Sequence, residues 1–373
     1  MNDQTGKTHI AIACGGTGGH LFPGLAVAQH LTRRNCEVTL IVSKKEIDQE
    51  ALQNVWGMDI VKLPAVGLTR KNYPGFALAF VSSFFAARKL FKAKRPQAVL
   101  AMGGFTAAPP ILAGKLSGAA TFLHESNAVP GRANRWLSHV ADRVFVGFSH
   151  AASQFTGCDV VDIGMPVRAQ FTSRDPATSR TTLGLDPARP TLLIMGGSQG
   201  ATPINALVVH SLPRLVRMLP EFQFLHLTGE ADEAWVRQAY EEHAAGKFSV
   251  KPFLAEMQQA LSAATVAISR AGASSLAEIA ALRVPSILIP YPAATDNHQL
   301  VNAREYVRTS AARMLEQAEV TPENLGQLVN LLANNVTVRQ ALLVALPCWH
   351  RARAAEAIAD QILAEVRNRK KRA

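Results

Sequence analysis

A loop with four glycines, between a buried strand and a helix, most constrains what this chain can fold into. The apolar run Ile10–Ala13 predicts a short strand, Gly15-Gly-Thr-Gly-Gly-His20 follows it, and Leu21–Leu31 has the pattern of a helix. Glycines leave the backbone N–H groups open to an anion or a sugar at the positive end of a helix. The alternative is a tight turn whose glycines only permit packing.

A second loop of the same kind opens the second half of the chain. Leu192–Met195 predicts a strand, Gly196-Gly-Ser-Gln-Gly200 follows, and a helix begins near Ile204. Two such loops predict an α/β protein of two doubly wound, Rossmann-like domains whose parallel sheets face a central cleft. Ligands of open α/β sheets bind at the carboxyl ends of the strands, so both loops are expected at a binding edge.

Short apolar runs alternate with helical stretches, which predicts βαβ units and parallel sheets. A pause near Gly164–Val167 marks the boundary between a first domain, 1–166, and a second, 167–345. A last helix, about 346–373, is expected to return to the first domain. The expected strands are Ile10–Ala13, Val38–Val42, Ala98–Ala101, Thr121–His124, Arg143–Val146, Thr191–Met195, Gln223–Thr228, Ser249–Pro252, Val266–Ser269 and Ser286–Pro290.

Charge and composition narrow the classes of partner. The chain has 373 residues and a formal net charge of +11, which fits nucleic acid, an anionic membrane surface or a phosphorylated substrate. Aromatic residues make up only 6% and do not alternate with basic ones, which argues against nucleic acid. The basic tail Arg367–Arg372 is expected to be a solvated, disordered end, and contact with a membrane or another polyanion is the alternative.

Cysteine spacing and apolar runs exclude several further classes. The four cysteines show no C-x-x-C spacing, so we expect neither a zinc site nor a disulfide framework. The polar N-terminus predicts no signal peptide. The longest uncharged run, Asn72–Ala87, is short for a spanning helix and contains Pro74 and Gly75.

The first glycine loop matches neither common nucleotide fingerprint. Leu21 stands where G-x-G-x-x-G needs its third glycine, and no Gly-Lys-Ser/Thr follows, so NAD binding and NTP hydrolysis are disfavoured. His20 lies at a helix start, whose field disfavours protonation and leaves the imidazole able to accept a proton. A hydrogen-bonded structural histidine is the alternative.

Polar clusters follow several other strands. Met102-Gly-Gly104 supplies a further glycine edge, and His124-Glu-Ser-Asn127 offers donors and acceptors for sugar hydroxyls. Glu278, one turn into a helix, can accept from a ribose diol; the alternative is a capping box, Ser275-x-x-Glu278. Tyr291–Gln299 is rich in amide and imidazole groups. For each of these motifs a packing turn or cap is the competing interpretation.

Taken together, these motifs resemble the MurG family of peptidoglycan N-acetylglucosaminyltransferases. The resemblance runs in order from about residue 9 to about 305. It is carried by Gly15–His20 with Phe22–Ala26, by His124, Glu125 and Asn127, by Gly196–Ala201, by Ser269–Ala273 with Glu278, and by Asp296–Gln299.

The resemblance implies a GT-B fold, an acceptor domain followed by a UDP-GlcNAc domain, and a set of site residues. His20 matches the proposed general base, with Glu125 as the next candidate. Gly103, Gly104 and Phe105 fall on the acceptor side. The residues implied in UDP-GlcNAc binding are Thr17, Gly18, Gly19, Asn127, Arg168, Ser198, Gln199, Leu254, Ala273, Glu278, His298 and Gln299.

The chain departs from the family pattern at four places. Ser126 stands where glutamine is usual, and Thr202-Pro203 replaces an arginine and an aliphatic residue, which puts one phosphate-side contact in doubt. Phe105 replaces a frequent tyrosine and removes a hydroxyl from the acceptor side. His298 falls on a position that is often glutamine in the family.

The implied reaction is an inverting transfer of GlcNAc to the C4 hydroxyl of the MurNAc of lipid I, which gives lipid II. It needs no cofactor, and no metal is expected because the sequence has no D-x-D motif. A UDP-GlcNAc 2-epimerase and a non-catalytic nucleotide-sugar sensor are the alternatives. We expect no nucleic-acid partner; proteins of cell-wall synthesis or division are further candidate partners.

The lipid-linked acceptor implies contact with a membrane. Phe76, Phe80 and Phe84 recur at near-helical spacing beside Arg88 and Lys89, which is typical of an interfacial anchor. The alternative is an ordinary core helix. The family's membrane association favours a peripheral protein at the cytoplasmic face of the bacterial inner membrane.

Overall fold

The structure, a computed structural model, describes residues 7–15, 18–43, 57–64, 73–104, 107–197 and 199–372. The chain forms two compact units. Unit one comprises Met1–Arg168 and Arg351–Ala373, and unit two comprises Ala169–His350.

Unit one is an alternation of strands and helices that ends with the last helix of the chain. In chain order its elements are β1 His9–Ala13, α1 Gly18–Arg33, β2 Glu37–Val42, β3 Asp59–Lys62, α2 Tyr73–Lys94, β4 Ala98–Ala101, α3 Ala108–Leu116, β5 Ala120–Glu125, α4 Arg132–Leu137, β6 Arg143–Val146, α5 Ser149–Ala152, β7 Val160–Asp162 and, after unit two, α14 Ala354–Arg372.

Unit two repeats the same alternation. Its elements are α6 Pro176–Thr182, β8 Thr191–Met195, α7 Thr202–Met218, β9 Gln223–Leu227, α8 Glu233–His243, β10 Phe248–Lys251, α9 Met257–Ala263, β11 Val266–Ser269, α10 Ala273–Leu282, β12 Ser286–Leu288, a 3₁₀ turn Thr295–Asn297, α11 His298–Arg308, β13 Arg313–Met314, α12 Pro322–Asn334, α13 Val336–Ala345 and a 3₁₀ turn Leu346–Trp349.

Both sheets are parallel, and their strand orders correspond. The first sheet runs β3-β2-β1-β4-β5-β6-β7 and the second runs β10-β9-β8-β11-β12-β13. In each sheet the first strand of the unit lies between the second and the fourth, which is the doubly wound order. The predicted fold class, two Rossmann-like α/β domains with parallel sheets, is confirmed.

Continuous apolar runs explain why the central strands form. Every residue of His9–Ala13 and of Thr191–Met195 is buried, as expected for strands covered by helices on both faces. The sequence missed two strands at the edges of the first sheet, Asp59–Lys62 and Val160–Asp162. Both are short and only partly buried, so they carry a weak apolar signal.

The last helix of the chain belongs to the core of unit one. Ile358, Ile362 and Val366 of α14 are buried in one cluster with residues of α1 and the first sheet. The prediction of a disordered basic tail is wrong, because α14 continues to Arg372. Arg369 lies 2.8 Å from the carboxylate of Asp142 and 3.0 Å from that of Glu365, which holds the last turns in place.

Helix α2 exposes a different face from the one predicted. Phe80 and Phe84 are partly buried and pack against the cluster around Phe91, and Phe76 is partly buried as well. The exposed apolar side chains of α2 are Leu78, Val81 and Phe85, with exposed fractions of 73%, 51% and 63%.

Among the described residues, no single helix is long and apolar enough to span a membrane. The pair Pro322–Asn334 and Val336–Arg372, bent by 84°, meets the length and composition limits only together.

Candidate active site

Each unit places two loops at the point where its strand order reverses. The strands β1 and β4 are neighbours in the first sheet, as β8 and β11 are in the second. The connections that leave such a pair run in opposite directions and open a crevice at the carboxyl edge, where ligands of this fold class bind. The candidate site of each unit is therefore built from the loops after these two strands.

In unit one, His20 lies against the loop that follows β4. Helix α1 begins at Gly18, so Gly18, Gly19 and His20 form its first turn, earlier than the sequence predicted. A Cβ atom on Gly103 would lie 3.1 Å from Cε1 of His20, and one on Gly104 would lie 3.3 Å from Cδ2. Both glycines have positive φ, so no other residue would leave the His20 ring in place without strain.

A second histidine lies beneath this ring and is held neutral. His124 is fully buried, and its Nε2 donates to the carbonyl of Gly164 at 3.1 Å. Its Nδ1 therefore accepts from the hydroxyl of Ser126, at 3.3 Å. Burial, together with a smaller effect of the neighbouring His20, lowers the pKa of His124 to about 4, and the hydrogen bond to Gly164 opposes this shift. His124 is thus a structural, uncharged member of the site.

The carboxylate of Glu125 organises the loop after β5. Its Oε1 accepts from the backbone N–H of Asn127 at 2.9 Å and from the side-chain amide of Asn127 at 3.3 Å. Its Oε2 accepts from the N–H of Gly131 at 2.9 Å and from Asn134 at 2.8 Å. Burial raises the pKa of the Glu125 carboxyl, and these hydrogen bonds oppose the rise. A catalytic role for Glu125 stays a prediction.

Arg168 is the last residue of the first segment of unit one. Its guanidinium carbon lies 4.0 Å from the centre of the Phe22 ring on α1, which is a cation–π contact. The sequence predicted Arg168 as a nucleotide ligand but gave no sign of this contact with Phe22.

In unit two, two loops meet through backbone alone. Gly200, after β8, has φ +73°, and a methyl group there would overlap the carbonyl of Thr228, after β9. Gly229 has φ +83°, and a Cβ atom on it would lie 2.6 Å from the carbonyl oxygen of Gln199. The sequence singled out Gly200 but missed Gly229, although a Thr-Gly pair just after a strand is a signal for a loop at the carboxyl edge.

A buried polar network supports these two loops from below. Asn205, in the first turns of α7, donates to the carbonyl of Thr228 at 2.8 Å and to the carboxylate of Asp232 at 2.7 Å. His226 donates to the amide oxygen of Asn205 at 3.0 Å and accepts from the hydroxyl of Tyr240 at 3.2 Å. Burial lowers the pKa of His226 to about 3, so this ring is neutral too.

Glu278 is not a capping residue. Helix α10 begins at Ala273 after the N-cap residue Gly272, and no side chain caps it. Glu278 is therefore the sixth residue of the helix, and the capping-box interpretation is wrong because a capping box needs the carboxylate at the third. Ala273 is buried and is the first residue of the helix. Its contact with the donor stays a prediction, as does the role of Glu278.

Gln299, in the first turn of α11, connects the segment after β11 with the segment after β12. Its side-chain oxygen accepts from the N–H of Ala271 at 3.2 Å and from that of Tyr291 at 3.0 Å, so donation is what this amide offers a ligand. His298 donates from Nδ1 to the carbonyl of Thr295 at 2.8 Å, so the Nε2 of the neutral ring is an acceptor.

Three predicted residues, Thr17, Phe105 and Ser198, lie outside the described residues. Gln199 is exposed and Leu254 is half-buried. Within the described ranges, no group of three or more histidine, cysteine, aspartate or glutamate side chains is arranged to hold a metal ion.

Known protein families match most of the chain. Residues 10–146 match the glycosyltransferase family 28 N-terminal domain, and residues 191–342 match the family's C-terminal domain. The chain belongs to glycosyltransferase family 28, among the MurG enzymes.

Relatives of family 28 match over nearly the full length. The chain is 37% identical to the UDP-N-acetylglucosamine--N-acetylmuramyl-(pentapeptide) pyrophosphoryl-undecaprenol N-acetylglucosamine transferase of Desulfotalea psychrophila, over 91% of this chain and 92% of the relative. It is 36% identical to the enzyme of the same name from Xanthomonas euvesicatoria, over 95% of this chain and 81% of the relative.

Solved structures of family 28 and of other nucleotide-sugar enzymes share the fold. MurG of Acinetobacter baumannii is 28% identical with a TM-score of 0.75, covering 96% of this chain and 99% of that one. A putative UDP-N-acetylglucosamine 2-epimerase from Listeria monocytogenes has a TM-score of 0.72 at 16% identity, over 99% of this chain and 98% of that one. The second likeness shows the fold alone.

The contact between Gly200 and Thr228 predicts unequal costs for two glycine substitutions. Gly200 and Gly246 both have φ +73°, but a methyl group on Gly246 would meet no atom within 4 Å. Gly246→Ala should lower the free energy of unfolding by about 1 kcal/mol, through left-handed strain alone. Gly200→Ala should cost about 2 kcal/mol more, because backbone must move. Urea unfolding measures both, and equal losses would contradict the contact.

The two buried histidines predict a loss of stability in acid. The ordinary histidine pKa is 6.5, and the folded values are about 4 for His124 and about 3 for His226. As the pH falls from 6.5 towards 4, the unfolded chain binds protons that the folded chain does not, so the free energy of unfolding falls. Each histidine contributes about 1.4 kcal/mol per pH unit within that window.

Substitution of His226 separates its contribution to the acid-induced loss of stability from the contributions of other titratable groups. His226→Gln should flatten the dependence of unfolding free energy on pH, measured by urea unfolding between about pH 7 and about pH 5. His139→Gln, at an exposed position of unit one, is the control and should leave the slope unchanged. A wild-type slope in the His226 variant would show that this ring is charged in the folded protein.

Proposed function

We propose that this protein transfers N-acetylglucosamine from UDP-GlcNAc to lipid I and so produces lipid II. The observation that carries the proposal is the near full-length identity of 32–37% to transferases named for this reaction. The carboxyl edges of both sheets support it, since each unit has glycine loops at its switch point, where ligands of this fold class bind.

His20 is the general base of this mechanism. The C4 hydroxyl of the MurNAc residue attacks the anomeric carbon of GlcNAc, the bond from that carbon to the diphosphate breaks, and UDP leaves. His20 takes the hydroxyl proton as the new glycosidic bond forms, and the configuration at the anomeric carbon inverts. His20 lies in the first turn of α1 and against Gly103 and Gly104, which fixes the position of the ring.

The donor is held by the loops of unit two. The backbone N–H groups of Gly196–Gly200 and the hydroxyl of Ser198 receive the diphosphate, whose charge grows as UDP leaves. Glu278 accepts from the ribose diol. Gln299 donates to a GlcNAc hydroxyl because its oxygen is already held by Ala271 and Tyr291.

One assay distinguishes this function from its two alternatives. Incubation with UDP-GlcNAc and a soluble lipid I analogue should yield UDP and the β-linked disaccharide. Formation of UDP-ManNAc, or of UDP and ManNAc if water also cleaves the bond to UDP, would indicate a 2-epimerase, whose fold this chain shares. Binding of UDP-GlcNAc without any product would indicate a sensor.

Replacement of the base should affect turnover and leave donor binding intact. His20→Ala is expected to lower kcat by about 10²- to 10⁴-fold, the usual contribution of a general base. The affinity for UDP-GlcNAc, measured by calorimetry, should change little. His139→Ala, an exposed histidine of the same unit, is the matched control and should retain full turnover. Turnover close to wild type in the His20 variant would remove His20 as the base.

We further propose that the protein binds the anionic cytoplasmic face of the inner membrane through α2. The apolar stripe Leu78, Val81 and Phe85 is exposed, and Lys89 and Lys92 are exposed on the same helix. An apolar stripe beside cations is the pattern of a helix that enters the headgroup region. We propose this stripe in place of Phe80 and Phe84, because those two side chains are partly buried against the cluster around Phe91.

Vesicle binding tests the α2 stripe. Replacement of Leu78, Val81 and Phe85 by serine should lower binding to vesicles that contain phosphatidylglycerol by about tenfold or more, since each buried apolar side chain contributes about 1.5–3 kcal/mol. Val336→Ser with Val344→Ser is the control, because these exposed valines of unit two have no predicted membrane role. Equal binding by the α2 variant and the control would exclude the stripe.

A further inference from the structure

A cavity of about 210 Å³ lies at the amino edge of the first sheet, where the strands of unit one begin. Thr8 and Cys36, which line it, directly precede β1 and β2, and the last turns of α14 form its other side. The candidate active site lies at the carboxyl edge of the same sheet, about 16 Å away along a strand of five residues such as β1. The cavity is therefore a separate site.

The size of the cavity indicates a small ligand. Its volume far exceeds the about 10–15 Å³ that one water molecule needs, and it is smaller than the about 300 Å³ at which pockets for drug-sized molecules begin. The buried Val366 and the half-buried Leu363 of α14 supply the apolar part of the lining. A molecule of a few carbon atoms with one charged group fits this space.

The charges that line the cavity are all positive. Among the described residues of its lining, three are cations, Arg34, Arg367 and Lys370, and none is an aspartate or a glutamate. Arg367 and Lys370 are exposed and three residues apart on α14, so their side chains lie on the same face of the helix. Within the part of the chain that the structure describes, neither forms an ion pair, whereas Arg369 forms two.

Arg34 is held in place by acidic residues outside the lining. Its Nη2 lies 2.8 Å from the carboxylate of Asp360 and 3.5 Å from that of Glu356, and its Nη1 donates to the carbonyl of His30 at 3.4 Å. These contacts fix the guanidinium at the wall of the cavity and offset its charge. The charge that remains uncompensated by described acidic residues is that of Arg367 and Lys370.

The neutral polar residues of the lining can all donate hydrogen bonds. They are Thr8, Asn35 and Cys36, with a hydroxyl, an amide and a thiol. Burial raises the pKa of the Cys36 thiol, and the nearby Arg34 opposes the rise only in part, so the thiol adds no negative charge. Cations together with neutral donors suit a ligand group that carries negative charge and several acceptor oxygens.

We propose that this cavity binds the phosphate group of a small phosphate monoester. Such a group carries a charge of about −1.5 to −2 at pH 7 and three acceptor oxygens, which matches the two uncompensated cations and the neutral donors around them. A carboxylate carries only one negative charge and two oxygens. The phosphate belongs to a soluble molecule or to a lipid headgroup, since both present the same chemistry.

A purely structural role for the cations makes a different prediction. Arg367 and Lys370 lie in the last turns of α14, where positive charge stabilises the negative end of a helix. In that case any two cations removed from these turns have the same effect, and no phosphate compound binds at this cavity. Two double variants of equal charge therefore separate the two roles.

Calorimetric titration with glycerol 3-phosphate tests the cavity. Replacement of Arg367 and Lys370 by glutamine should lower its affinity by about tenfold or more, the loss expected for charge-assisted hydrogen bonds. Replacement of Lys371 and Arg372 by glutamine is the matched control, because it removes two exposed cations of the same helix end that do not line the cavity. The control should retain the affinity within about twofold.

Two further titrations test the charge and the ligand class. The exchange Arg367→Lys with Lys370→Arg keeps both charges and should retain most of the affinity. Glycerate, which carries a carboxylate in place of the phosphate, should bind at least about tenfold more weakly. Equal losses in the two double variants, or glycerate that binds as tightly as glycerol 3-phosphate, would overturn the proposal.

Vesicles that contain phosphatidic acid distinguish the two sources of the phosphate. All proteins in this assay carry Leu78→Ser, Val81→Ser and Phe85→Ser, which removes the proposed membrane contact of α2. Glycerol 3-phosphate binding that depends on Arg367 and Lys370 assigns a soluble ligand. Vesicle binding that depends on these two residues, when glycerol 3-phosphate does not bind, assigns a lipid headgroup. If neither kind of binding depends on them, the proposal is wrong.

Discussion

Backbone-to-backbone contact at the carboxyl edges of two parallel sheets is the constraint on which the rest of the structure depends. Gly200 and Gly229 let two loops of unit two meet without side chains, and Gly103 and Gly104 make room for the ring of His20 in unit one. A single Cβ atom at these positions would move backbone or displace a candidate catalytic ring. Glycine is therefore what places the site residues at these edges, and the buried strands beneath hold the glycines in position.

Burial also decides which titratable groups carry charge. Burial keeps His124 and His226 neutral because an imidazolium in the core would lose its hydration, and at His226 the nearby Asp232 carboxylate opposes this effect only in part. The carboxylate of Glu125 accepts hydrogen bonds from the segment that follows β5. Arg270 differs from them, since an arginine stays charged when buried and its described surroundings contain no acid to pair with it. Burial and the partners of each group together determine whether it is charged in the folded protein.

Much of the fold follows from local patterns, and its exceptions have physical causes. Apolar runs predicted the central strands because parallel strands are buried on both faces. The edge strand Asp59–Lys62 was missed because it is mostly exposed and half charged. Helix α1 begins at Gly18, earlier than predicted. A glycine pair favours a loop in the sequence, and only the tertiary structure shows that it forms the first turn. The tail to Arg372 is helical because Asp142 and Glu365 pair with Arg369, and only Glu365 is a sequence neighbour.

The sequence by itself determined the twin strand–glycine–helix plan, the parallel sheets and the family, because these depend on short-range pattern and residue identity. Tertiary structure alone decided which helix face is exposed, so Leu78, Val81 and Phe85 replaced the predicted phenylalanines. It also decided the partners of Glu125 and the absence of a described carboxylate beside Arg270. The physical reason is that burial and electrostatic environment are sums over residues distant in the chain, which no local spacing records.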